Sequence, residues 1–116
     1  MGSATTQALA ASVQALAAAS GVTLDTSREL FAAAHAVGES SHLSGALADA
    51  SAPAEARQNV VASVFGGFSQ ITRDVLKTVV SERWSDASAL VDGIEELAIR
   101  AAAISASGAD IEAAVF

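Results

Sequence analysis

The chain has 116 residues, a formal net charge of −7 and no cysteine, and 52% of its residues are hydrophobic. A chain of this length forms one domain, since single cores usually take about 100–150 residues, and it is too apolar to be intrinsically disordered. Only six residues are lysine or arginine. This excludes nucleic acid as an expected partner, because neutralising phosphates requires clustered basic residues.

The composition favours an all-helical fold. Alanine accounts for 29 of the 116 residues, whereas aromatic residues make up 4%. Alanine is the best helix former and is depleted in strands, which prefer aromatic and β-branched side chains. We therefore expect an all-α fold, and the short loops between the predicted helices favour a compact bundle.

Capping residues and apolar spacing predict six helices. The predicted helices cover about 5–19, Asp25 or Thr26 to Gly38, 41–48, Ser51 to Gly66, 70–83, and Ser85 or Asp86 to about Ser105. Ser3 is the candidate N-cap of the first helix and Gly21 its end. Pro53 fits the first turn of the fourth helix, where backbone N–H groups lack partners in any case. Gly108 is expected to end the sixth, and residues 110–116 could begin another helix.

The opening segment is not expected to be a signal peptide or a transmembrane span. Its first charged residue is Asp25, so the basic n-region of a signal peptide is missing. Threonine, serine and glutamine interrupt the apolar residues before Leu24, whereas a span needs about 20 predominantly apolar residues. We expect a soluble chain that associates with a membrane only indirectly, through a partner.

No residue pattern predicts catalysis, a cofactor or a metal site. His35 and His42 do not form an HExxH pair, and we expect one to pack between helices and the other to be solvated. Glu95 and Glu96 are adjacent, so they cannot face each other on a helix as an acid–base pair. Gly66-Gly67 lacks the Gly-Lys-Ser/Thr of a phosphate-binding loop and fits a helix–helix turn.

Two helices suggest binding instead. The first carries an apolar stripe and otherwise only small or neutral polar residues, which would let another helix approach closely at little desolvation cost. A helix buried at the centre of the bundle would show the same pattern. On the fifth helix, large apolar residues cover roughly 180° of arc, more than the stripe of about 100° that one core contact needs. Two neighbouring helices could cover that excess, or a groove for an amphipathic helix could use it.

The sequence resembles a known family, the N-terminal domain of the δ subunit of F-type ATP synthase. This subunit is also called the oligomycin-sensitivity-conferring protein. The resemblance covers roughly residues 3–105 and lies in the order of four segments rather than in one motif. These are Leu43–Asp49 (LSGALAD), the proline-started helix at Pro53, Val75–Trp84 (VLKTVVSERW) and Gly93–Ala101 (GIEELAIRA). The last segment resembles the version found in high-GC Gram-positive bacteria.

The resemblance implies a six-helix domain without catalytic residues, which acts as a stator component. In this family the domain sits on top of the catalytic head and binds the N-terminal helix of an α subunit between its first and fifth helices. A C-terminal domain then binds the b subunits of the peripheral stalk, which resists rotor torque and couples proton flow to ATP synthesis. The complex places such a subunit at the cytoplasmic face of the cell membrane. We expect residues 1–106 to form the N-terminal domain and 107–116 to begin a linker to an absent C-terminal domain.

The resemblance also assigns a groove to the two helices that the residue pattern singled out. The predicted partner-binding residues are Thr5, Ala8, Leu9 and Ser12 on the first helix, and Ile71, Val75, Thr78 and Glu82 on the fifth. Leu76, Val79 and Val80 would then face the core. Where the family has paired arginines, this chain keeps Arg83 and has Trp84 in the second place.

Two other classes remain open on the residues alone. One is a small helical adapter or regulator that dimerises through its uncharged first helix. The other is a fragment of a helical enzyme, which would need a bound cofactor or metal.

Overall fold

The computed structural model describes the backbone of residues 3–115 and the side chains of residues 4–106. Over that backbone the chain forms six helices and no strand, which confirms the predicted all-helical class. In chain order the helices are α1 (Ser3–Ala18), α2 (Leu24–Glu39), α3 (Ser41–Ala48), α4 (Ala54–Val64), α5 (Gln70–Ser81) and α6 (Ala87–Val115).

Most predicted boundaries lie within a few residues of the observed ones, and α3 agrees at both ends. Helix α2 begins earlier than predicted, at Leu24, because Thr26 Oγ1 accepts a hydrogen bond from the Thr23 N–H at 3.1 Å and so closes the first turn. Gly21, the predicted end of α1, has φ +83° in the following turn, a conformation that favours glycine. Ser3 is already helical, and its side chain lies outside the described residues.

The predicted end of the sixth helix is wrong. Helix α6 continues through Gly108 to Val115. A glycine inside a helix costs only about 1 kcal/mol relative to alanine, and alanines on both sides favour the helix. The assignment of 107–116 to a linker stays a prediction. Its side chains and all of Phe116 lie outside the described residues.

The core lies where α2 packs along α6, the most extensive helix contact in the fold. Small residues allow this close approach: Ala33, Ala98 and Ala101 are fully buried, and Ser27 Oγ donates to the Ala98 carbonyl at 2.7 Å. The larger residues that fill the interior are Leu16, Leu30, Leu47, Val61, Leu76, Leu90, Ile94 and Leu97.

Helix α1 contacts both α5 and α6. Its buried side carries Ala8, Ser12 and Leu16, at i, i+4 and i+8. Since α1 touches two helices, one concave surface lies along each of its flanks. Both surfaces are open to a partner.

Candidate partner-binding groove

The first concave surface is the seam between α1 and α5, here called the α1–α5 groove. The two helices run antiparallel, because the start of α1 meets the end of α5. One hollow of about 250 Å³ is lined by Ala15, Ala19, Ser20, Ile71, Asp74, Val75 and Thr78. A second, also of about 250 Å³, is lined by Ala4, Gln7, Ala8, Ser81, Glu82 and Arg83.

The structure brings all four predicted α5 residues to this groove. Ile71, Val75 and Thr78 line the first hollow and Glu82 lines the second. Val75 is 3% exposed, so it forms the floor of the groove and also belongs to the core. The other three are half-buried and form the wall.

The predicted core face of α5 is confirmed, since Leu76, Val79 and Val80 are at most 1% exposed. The amphipathic pattern of α5 therefore fixed its orientation correctly. On this helix Val75 lies between the groove and the core, because it belongs to both.

Of the four residues predicted on α1, only Ala8 lies in the α1–α5 groove. Thr5 is 3% exposed; its Oγ1 donates to Ser85 Oγ at 2.6 Å and accepts from the Ser85 N–H at 2.9 Å. Ser12 is fully buried, and its hydroxyl donates to the Ala8 carbonyl at 2.8 Å. Leu9 lies on the opposite flank of α1, against α6.

The α1 side of the predicted groove is thus corrected. Ala4, Gln7, Ala15 and Ala19 line it, and Thr5, Leu9 and Ser12 do not. The rotation of α1 was hard to read, because small and neutral residues occupy almost its whole circumference. Partner binding by the eight predicted residues stays a prediction.

Arg57 on α4 fixes the C-terminal end of α5, and the sequence interpretation missed it. Arg57 is 6% exposed, and its Nη1 donates to the Val80 carbonyl at 2.6 Å and to the Glu82 carbonyl at 3.2 Å. These carbonyls lie at the end of the helix, where the last backbone oxygens lack helical partners. The available signal was the position of Arg57 four residues before the buried Val61, on the apolar stripe of α4.

Glu29 on α2 fixes the N-terminal end of α5. Its Oε2 accepts from the Ser69 N–H at 3.1 Å, and its Oε1 accepts from the hydroxyls of Ser69 and Thr72 at 2.7 and 2.5 Å. Partial burial raises the pKa of Glu29, but the hydrogen bonds from Thr72 and Ser69 outweigh burial and lower it overall. Because both ends of α5 are fixed, the helix presents a pre-organised groove wall.

Trp84 follows α5 and does not reach the α1–α5 groove. It is 6% exposed, and Nε1 donates to the Val79 carbonyl at 2.8 Å. Its ring packs directly on Gly93 of α6, where an added Cβ would come within 2.4 Å of the indole. The tryptophan therefore reports on the α6 flank of α1.

The histidine and acidic side chains that the structure describes do not cluster as metal ligands. Both histidines are exposed, so the expectation that one packs between helices is wrong; His35 Nε2 lies 3.6 Å from Glu39 Oε1. Among the described residues no group of three or more His, Cys, Asp or Glu side chains could hold a metal ion. No described helix is long and apolar enough to cross a bilayer.

Comparison with known proteins gives a consistent assignment. The family described as "ATP synthase delta (OSCP) subunit" matches residues 6–109. Relatives named "ATP synthase subunit delta" include one from Leifsonia xyli, 42% identical over 107 residues, which covers 91% of this chain and 41% of the relative. Another from Nocardia farcinica is 38% identical over 96 residues, covering 82% and 36%.

The two relatives come from actinobacteria, the high-GC group that the closing-helix segment resembles. The chain spans about two fifths of the length of these relatives. With a match over residues 6–109, the chain belongs to the ATP synthase delta (OSCP) subunit family.

Proposed function

We propose that this chain is a non-catalytic stator module of an F-type ATP synthase, and that its α1–α5 groove holds the N-terminal helix of an α subunit at the top of the catalytic head. Held there, the head would be tied to the peripheral stalk, so that proton flow drives ATP synthesis. The proposal rests on family membership together with a groove between the two helices that the family resemblance assigns.

The shape of the groove supports a helical partner. Alanines 4, 8, 15 and 19 form the α1 side, so a second helix backbone can approach closely. Ile71 and the floor residue Val75 provide apolar surface, which is worth about 1.5–3 kcal/mol for each large partner side chain that becomes fully buried, less the cost of ordering the peptide.

The charges of the groove set the orientation of the partner. Asp74 lies beside one hollow, and Glu82 and Arg83 lie beside the other. Glu82 would attract a basic residue of the partner helix. Arg83 would repel the same residue and so keep it beside Glu82. Rim charges of this kind contribute more to specificity and association rate than to affinity.

Contact with the b subunits would belong to the part of the relatives' length that the match to this chain does not cover. In the same proposal the module is peripheral, at the cytoplasmic face of the membrane, and reaches the membrane only through the complex. It needs no cofactor, metal or nucleic acid.

The test is a titration of the chain with a synthetic peptide of the α-subunit N-terminus from the same organism, using a fluorophore on the peptide. Thr78→Arg places a long cation in the α1–α5 groove at a half-buried position. We expect it to weaken binding at least tenfold while the unfolding midpoint changes by less than about 3 °C.

The matched control is Ser88→Arg, the same kind of replacement on the other flank of α1. It should leave α-peptide binding within twofold of the unchanged chain. Absence of binding at high micromolar peptide, or equal loss in both variants, would contradict the proposal. Sedimentation distinguishes the stator module from the adapter class. A stable dimer with α1 buried between the two copies would support the adapter.

A further inference from the structure

The second concave surface lies between α1 and the start of α6, here called the α1–α6 trough. Its volume is about 550 Å³, roughly twice that of either hollow of the α1–α5 groove. Leu9, Trp84, Ala89 and Gly93 give it an apolar floor. The family resemblance assigns no partner to this surface.

The trough has the length of a short helix. On the α6 side its lining residues within the helix fall at 88, 89, 92, 93 and 96, a spacing of i, i+1, i+4, i+5 and i+8 that defines one helical face. Eight steps at 1.5 Å rise give about 12 Å, or just over two turns. Small residues along this face let another backbone approach, so an elongated partner such as a helix fits better than a compact ligand.

The charges of the trough all have one sign. Asp86, Asp92 and Glu96 line it, and no lysine or arginine does. Asp86 already accepts a hydrogen bond from the Ala89 N–H at 2.8 Å, and Glu96 lies 3.5 Å from Arg100 at the far end. Asp92 is exposed, and the described side chains offer it no ion pair.

Asp92 and Glu96 are also i,i+4 neighbours, an arrangement of like charges that destabilises a helix by about 0.2–0.5 kcal/mol. A cation bound between them would relieve this repulsion. An apolar floor beneath an acidic rim therefore matches an apolar surface flanked by positive charge.

We propose that the α1–α6 trough binds an amphipathic helical segment of a partner protein that carries arginine or lysine beside its apolar stripe. The apolar side chains of the segment lie on Leu9, Trp84 and Ala89. Its cations lie between Asp92 and the two outer carboxylates. This site is separate from the α1–α5 groove, which has Arg83 in its lining and lies on the other flank of α1.

The experiment uses three synthetic 15-residue helical peptides with one leucine stripe in common, flanked by arginine, by glutamine or by glutamate. Binding is followed by the fluorescence of Trp84, the single tryptophan of the chain, which lines the trough. We expect the arginine peptide to bind at least tenfold more tightly than the glutamine peptide, and the glutamate peptide to give no change. Backbone amide shifts should centre on 88–93.

Two variants with the same charge change test the location. Asp92→Asn should weaken binding of the arginine peptide about threefold or more, whereas Asp74→Asn, in the α1–α5 groove, should leave it unchanged. Ser88→Arg should abolish binding, because the chain then supplies its own cation.

Equal affinity for the three peptides, no response to the arginine peptide at millimolar concentration, or shifts centred on 71–78 would each overturn the proposal. Free arginine binding as tightly as the peptide would overturn it too, in favour of a small-molecule site. The α-peptide titration is measured on a different surface, so the two proposals fail independently.

Discussion

The two concave surfaces beside α1 share this helix but differ in shape and in charge. The α1–α5 groove is divided into two hollows of about 250 Å³ each and has charges of both signs. The α1–α6 trough is a single hollow of about 550 Å³ with only acidic charges. Because α1 contributes mostly small, uncharged residues to both, the helices beside it determine what each surface can bind. One uncharged helix thereby borders two surfaces of different charge.

Replacing Arg57 by alanine should give the largest loss of stability and should act on the α1–α5 groove first. The change removes two hydrogen bonds to the end of α5 and leaves the Val80 and Glu82 carbonyls unpaired. Hydrogen bonds from charged groups contribute about 1.5–3 kcal/mol, so we expect the free energy of unfolding in urea to fall by roughly 2–4 kcal/mol.

The control for Arg57 is Arg28→Ala, which removes an exposed arginine 3.5 Å from Asp25 and should cost less than about 1 kcal/mol. In Arg57→Ala, amide shifts should change most at Glu82 and Arg83. Equal changes along 88–93 would show that the two surfaces are one coupled unit, which would break the comparison.

Replacing Gly93 by alanine should disturb the α1–α6 trough alone. The new Cβ would lie within 2.4 Å of the Trp84 ring, so the indole must move. Overpacking costs about 1–3 kcal/mol, which should exceed the gain of up to about 1 kcal/mol from better helix propensity. Tryptophan fluorescence should change, while binding of the α peptide should not.

Gly45→Ala is the matched control, since nothing lies within 4 Å of an added Cβ at that position of α3. It should stabilise the chain by about 0.5–1 kcal/mol. A stabilised Gly93→Ala variant would mean that Trp84 does not pack on α6 as described, and the trough would lose its floor.

The smallest expected effect concerns the pH dependence of the hydrogen bonds between Glu29 and the N-terminal end of α5. The folded-state pKa of Glu29 is below its ordinary value of 4.5, because hydrogen bonds from Thr72 and Ser69 outweigh burial. The stabilisation by this carboxylate is therefore fully present above pH 4.5 and is lost as the pH falls through the lower folded-state pKa.

Glu29→Gln should lower stability by roughly 0.5–1 kcal/mol at pH 7 and reduce the loss of stability on acidification between about pH 5 and 3. The exposed Glu55, exchanged in the same way, is the control for removing a surface carboxylate. Chemical unfolding at several pH values measures both. An unaltered slope in Glu29→Gln would remove Glu29 from the account of how α5 is positioned.

The sequence predicted α5 well and α1 poorly, for one physical reason. On α5, charged and apolar residues lie on opposite sides, so Leu76, Val79 and Val80 could be assigned to the core. Helix α1 has no charged residue to mark its outer side. The difference of one residue between Ser12, which is buried, and Ala11, which is half-buried, could not be read from hydrophobicity.

Two other features depended on contacts between distant parts of the chain. Arg57 meets α5 across 23 residues, and Glu29 meets Ser69 across 40. Neither pairing has a local signature, although each holds one end of α5, which forms a wall of the candidate groove. The continuation of α6 through Gly108 is a different case, because here a local signal was present but misleading. The rule that glycine ends a helix was outweighed by the alanine-rich surroundings.

The most direct test of the α1–α5 groove is isotope-filtered NMR on the labelled chain with an unlabelled peptide of the α-subunit N-terminus. The account predicts intermolecular NOEs from the methyl groups of Ile71, Thr78, Ala15 and Ala19. It predicts none from Leu9 or Ala89, which line the α1–α6 trough. NOEs confined to Leu9 and Ala89 would contradict the proposed site and move the α helix to the other flank of α1.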